Sequence, residues 1–90
     1  MRYMVIENFH PGRVGDIYRR LEESGRHMPA GLKYVGSWIT DDLVRCYQVM
    51  ECDEPRLLDE WISQWADLMD FEVIPVISSD EAKARALITS

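Results

Sequence analysis

The residues able to do acid–base chemistry are few and scattered. His10 and His27 are the two histidines of the chain. His10 follows the first apolar stretch and precedes Pro11. It is either a turn residue or a group that a loop delivers to a cleft. His27 follows a helical segment, where a cation complements the helix dipole. Glu72 sits in the apolar run Phe71 to Ile77. If buried, it would serve as a general base, because burial raises a carboxyl pKa toward neutrality. Pro75 favours an edge strand, from which Glu72 would instead point to solvent. His10 and Glu72 are therefore the candidate proton acceptors, and no complete catalytic motif accompanies them.

Two cysteines, Cys46 and Cys52, complete the reactive set. On one strand they would stand ~20 Å apart, beyond the ~7 Å that a disulfide spans. Neither belongs to a Cys-x-x-Cys pair or has a close histidine, so no metal site and no cofactor are expected. Cys46 reads as a small buried hydrophobe, with no neighbour to lower its pKa.

The elements that position these groups follow from periodicity. Residues 2–8 carry Tyr, Val and Ile and read as a strand. His10-Pro11-Gly12 interrupts it. Val14, Ile17, Tyr18 and Leu21 then form one helical stripe. That helix ends near Ser24-Gly25 or runs to His27, since Met28 precedes Pro29. Leu32 to Thr40 and Leu43 to Glu51 form a hairpin around Asp41-Asp42. Asp53 caps a second helix with Pro55 in its first turn. Its buried stripe is Leu57, Leu58, Trp61, Ile62, Trp65 and Leu68. Phe71 to Ile77 is the last strand. Ser78-Ser79-Asp80-Glu81 opens a short C-terminal helix through Leu87, as a capping box does.

The order βαββαβ predicts an α+β, ferredoxin-like fold over residues 1–90 as one domain, with two helices on one face of a four-stranded antiparallel sheet. The other face should carry polar residues, yet both faces are largely apolar. A hairpin centred on Asp41-Asp42 pairs Trp38 with Arg45 and Tyr34 with Val49. One face then holds Leu32, Tyr34, Gly36, Trp38, Arg45, Tyr47, Val49 and Glu51. The other holds Val35, Ser37, Ile39, Val44, Cys46, Gln48 and Met50, small and aliphatic enough to lie under helices. The aromatic face with its arginine has the composition of an interface. Left bare it would be an aggregation liability, so a homodimer through this open face is expected. A one-residue slip would exchange the two sets.

Several segments taken together resemble a known family. They are Met1 to Glu7, Gly36-Ser37-Trp38, Arg45 to Glu51, the pair Trp61 and Trp65, and Asp70 to Val76. They resemble a bacterial family of short proteins that is known only as a domain of unknown function. The resemblance runs from residue 1 to about residue 77. It implies the dimeric α+β barrel fold, shared with antibiotic-biosynthesis-type monooxygenases, muconolactone isomerase-like proteins and stress-responsive barrel proteins. It implies no catalytic residues, and fold alone does not choose a chemistry.

Charge narrows the partners. The net charge is −6, and the ten Lys and Arg residues are scattered, with only Arg19-Arg20 adjacent. Nucleic acid and anionic membranes need a basic face, so neither is an expected partner. No apolar run approaches the ~20 residues of a membrane span, and the N-terminus lacks the pattern of a signal peptide. A cytoplasmic protein is expected. The leading expectation is a small dimeric protein that binds a small, partly apolar ligand, with Tyr34, Trp38, Arg45, Gln48 and Trp61 as lining residues. The alternatives are a cofactor-independent monooxygenase or isomerase-like enzyme, and a structural or regulatory dimer with a filled core.

Overall fold

The computed structural model describes residues 1–89. Its elements are β1 (Arg2–Phe9), α1 (Val14–Ser24), β2 (Lys33–Ile39), β3 (Arg45–Glu51), α2 (Arg56–Ser63), β4 (Met69–Val76) and α3 (Ser79–Thr89). The four strands form one sheet in the order β2-β3-β1-β4, antiparallel at every pairing. This is the ferredoxin-like split βαβ arrangement.

Burial follows strand parity on the central strands. Tyr3, Val5 and Glu7 of β1 are buried, as are Cys46, Gln48 and Met50 of β3. Tyr3 pairs with Met50, Val5 with Gln48 and Glu7 with Cys46, so the six line the face under the helices. Ile17 of α1 and Leu57, Leu58 and Trp61 of α2 close over them, joined by Trp65 and Leu68. The α2 helix is shorter than its apolar stripe. It stops at Ser63, and turns carry Trp65 and Leu68 onward, with Trp65 N–H donating to Ile62 O at 2.9 Å. Its start also differs from expectation. Pro55 occupies the cap position and no side chain caps the helix. Backbone turns from Glu54 and Pro55 to Leu57 and Leu58 do the work expected of Asp53. At α3 the anticipated box is present, with Glu81 N–H donating to Ser78 Oγ at 3.1 Å.

The hairpin corrects the expected register. Trp38 pairs with Tyr47, not Arg45, and Tyr34 pairs with Met50, not Val49. Two features cause this. The link is wider than Asp41-Asp42, because Thr40 N–H donates to Arg45 O and Leu43 takes a left-handed φ of 62°. Thr40 Oγ1 accepts from the Val44 and Arg45 amides. A bulge between Tyr34 and Gly36 then absorbs one residue. The wider link moves the pairing by an even step, so Trp38, Arg45, Tyr47 and Val49 keep their face. The bulge moves Tyr34 to the helix side, beside Met50 and Ser37.

Candidate functional site

Between sheet and helices lies a cavity of about 60 Å³. Its floor is Glu7, Phe9, Ser37, Ile39, Cys46, Gln48 and Met69, and its roof is Ile17, Tyr18, Leu21, Arg26, Trp61 and Trp65. A buried water needs roughly 10–15 Å³ of such space, so the cavity holds about four to six non-hydrogen atoms. The walls are mainly apolar with a few convergent polar groups, the composition of a ligand pocket.

Glu7 is the group with the strongest chemical character here. It is only 7% exposed, and among the described residues no ion pair includes it. Burial pushes its carboxyl up to about 7, against smaller opposing effects from the Cys46 thiol and the Arg26 charge. Desolvation wins because a carboxylate loses more by leaving water than one soft hydrogen bond and a distant cation return. The Cys46 thiol opposite is pushed up to about 12, first by its own burial and then by the Glu7 charge. Cys46 is therefore a neutral hydrogen-bond donor here, not a thiolate nucleophile.

The α1–β2 loop places Arg26 over this floor. Trp61 Nε1 and Trp65 Nε1 both donate to Arg26 O at 3.0 Å. Two indoles spaced by four residues thus fix one backbone carbonyl of the loop. The Arg26 guanidinium carbon stands 3.9 Å above the Tyr34 ring centre. Tyr34 Oη and Ser37 Oγ are 2.6 Å apart, and Ser37 lines the cavity beside Cys46. Gln48, 4% exposed, donates to Met50 Sδ at 3.2 Å. A thioether is a weak acceptor, which leaves the amide available to a better partner.

The structure divides the residues singled out from sequence. Gln48 and Trp61 line the cavity, and Tyr34 flanks it through Ser37 and Arg26. Trp38 and Arg45 lie on the opposite face, where Arg45 Nε donates to Asn8 Oδ1 at 2.7 Å. Glu72 is exposed on that face too, accepting from Asn8 Nδ2 at 3.2 Å. His10 ties the loop before β4, with Nε2 3.0 Å from Asp70 Oδ1 and Nδ1 3.2 Å from Asp67 O. Sequence reasoning missed Glu7, Arg26 and Tyr18. The available signal for Glu7 was parity, since it shares a face with Tyr3 and Val5. For Arg26 no local signal exists, because a loop residue gains its position from indoles far along the chain. Among the described residues no cluster of potential metal ligands occurs, and no helix is long and apolar enough to cross a membrane.

A family model described as Domain of unknown function (DUF3303) matches residues 1–87, and the chain belongs to that family. No curated protein and no solved structure matches it significantly.

Proposed function

We propose that this member of a family without an assigned activity is a small-ligand-binding homodimer. The ligand occupies the cavity between sheet and helices. The observation that carries this reading is Glu7, a buried carboxyl without an ion pair that faces an apolar cavity. A protein with a purely structural core gains nothing from such a group, because burying an uncompensated carboxyl costs stability. Gln48 supports the reading, with only a thioether as its hydrogen-bond acceptor, as do the two tryptophans that form the apolar roof. The size of the cavity selects a small molecule with one polar end toward Glu7, Gln48 and Arg26.

A thermal-shift screen of small carbonyl compounds, short acids and amides tests this reading. A ligand that binds the native state raises the transition temperature, and Gln48→Leu should abolish the rise. No shift with any compound at millimolar concentration would defeat it.

The dimer rests on a separate observation. On the open face Met4 lies between Val49 and Ile74, and Ile6 lies beside Tyr47, which neighbours Trp38. These residues form an apolar stripe across all four strands, with Trp38 65% and Ile74 46% exposed. Leu87 and Ile88 on α3 add further exposed apolar surface. A second copy presenting the same stripe is the simplest cover for it. Sedimentation at micromolar concentration should give twice the 10.5 kDa chain mass, and a monomer would refute the assignment. The two buried free thiols fit a reducing, cytoplasmic compartment.

A further inference from the structure

Glu7 is the acidic residue that lines the cavity. Its immediate polar neighbours come from three different elements. Cys46 of β3 lies opposite it in the sheet. Tyr18 projects from α1, and Arg26 from the loop that follows α1; both line the same cavity. The lining side chains that α2 and the segment beyond it contribute, Trp61 and Trp65, carry no charge, and neither does Phe71, the β4 residue that pairs with Glu7. Arg26 is thus the cation of the cavity lining. It is held over the Tyr34 ring and makes no ion pair among the described residues.

Protic side chains share the cavity floor with Glu7. The Cys46 thiol lies opposite Glu7 in the sheet, and it and Ser37 line the same cavity floor. Ser37 Oγ is 2.6 Å from Tyr34 Oη, and Tyr34 is 39% exposed. A carboxyl that serves only packing has no need to face open space, whereas one that exchanges a proton with a bound molecule must line the space that the molecule occupies.

We propose that Glu7 is a catalytic base and acid for a small carbonyl compound bound in the cavity, with Arg26 facing the carbonyl oxygen. The proposal rests on the cavity being the ligand site. Glu7 removes a proton from the carbon next to the carbonyl. The C–H bond breaks, and its electron pair forms the carbon–carbon double bond of an enolate while the carbonyl π pair moves to oxygen. The oxygen's negative charge faces the guanidinium, where a preorganised cation stabilises developing charge. The proton resides on Glu7 and returns to the same carbon or to another atom of the enolate. The net reaction is exchange or isomerisation, with no oxidant or reductant.

The test follows loss of the α-proton signal of hydroxyacetone and of pyruvate by NMR in D₂O. Wild-type protein is compared with Glu7→Gln, and the thermal transition is recorded with each probe. General acid–base catalysis contributes on the order of a hundredfold or more, so wild type should exceed Glu7→Gln by that factor with at least one probe. Its rate should rise with pH through about 7 as the carboxylate forms, while the Glu7→Gln rate lacks that inflection. Glu7→Gln is nearly isosteric, and circular dichroism verifies its fold. If that variant is unfolded, Glu7→Asp replaces it and should show a rate reduced at least tenfold. A probe that raises the transition temperature yet exchanges at the buffer rate overturns this proposal and leaves the ligand reading standing. Absence of both binding and exchange with these probes overturns this proposal, and the ligand reading falls with it when the wider screen also gives no shift. Equal rates in wild type and the variant overturn the role of Glu7.

Discussion

On β1 and β3, neighbouring residues enter opposite worlds. Val5, Glu7, Cys46, Gln48 and Met50 are buried under the helices. Ile6, Tyr47 and Val49 stand one position along the same strands and remain partly open. The covered face is apolar at one end and turns polar around Glu7 and Gln48, where the cavity lies. The open face reverses this. Its polar groups, Arg45, Asn8 and Glu72, hydrogen-bond one another at the solvent surface, and its apolar stripe has no cover from α1 or α2. Polar groups thus occur in both places but carry different costs. On the open face water screens them and they contribute little. Under the helices each must find a partner or pay in desolvation, and Glu7 remains there with only a thiol and a distant cation.

The largest expected difference between the faces is in folding energy. Trp61 is buried, packs edge-on against Phe71 at 5.5 Å between ring centres and holds the Arg26 carbonyl. Trp61→Ala should cost about 3–5 kcal/mol, read as a lower urea midpoint at unchanged slope. A loss under about 1 kcal/mol would show that the covered face is not the stabilising one.

A smaller effect, specific to the polar end of the covered face, is a pH dependence. The folded pKa of Glu7 lies near 7, above its ordinary value of 4.5, so the folded state holds this proton more tightly than the unfolded state. Its contribution is fully present below about pH 4.5. It is lost as pH rises through 4.5 to 7, in total about 3 kcal/mol for a shift of this size. Asp16 and Asp67 act in the opposite sense, because arginine partners lower their pKa values. Their contribution is lost only in more acidic solution. Urea titrations between pH 5 and pH 8 should therefore show wild-type stability declining, with Glu7→Gln much flatter. Parallel curves would remove the distinction drawn for Glu7.

The smallest effect on folding is expected on the open face. Trp38→Glu should change the stability of the folded chain by less than about 0.5 kcal/mol, yet halve the sedimenting mass. If the mass stays that of a dimer, the open stripe is not the contact surface. If the monomer unfolds, the stripe stabilises the chain in a way that its exposure does not suggest.

Much of the fold was legible because it rests on periodicity. The helix stripes through Ile17 and through Leu57, Leu58 and Trp61, and the alternation in β1 and β3, give the element order and the covered face. The faces of Trp38, Arg45, Tyr47 and Val49 survived a wrong hairpin register because the error there was an even step, whereas Val35 and Val44, expected under the helices, are exposed and Leu32, expected on the open face, is buried. Tyr34 did not survive it, since the bulge at Tyr34–Gly36 has no marker in strand composition. The candidate site was legible only in part. Gln48 and Trp61 were readable as residues of the helix side. Choosing His10 and Glu72 as proton acceptors followed residue type, and the structure puts both in surface hydrogen bonds.

The sequence by itself determined the helix stripes and the alternation of β1 and β3 that are buried together, because apolar spacing must match the period of a helix or strand for the chain to bury it. It also determined the net charge of −6, since a charge count needs no coordinates. Tertiary structure alone decided which polar residue matters. The chemistry of Glu7 arises from depth and from groups distant in the chain: Cys46 across a strand pair, and Arg26, whose carbonyl two indoles hold. A carboxyl's pKa depends on distances in space, and a local sequence pattern contains none of them.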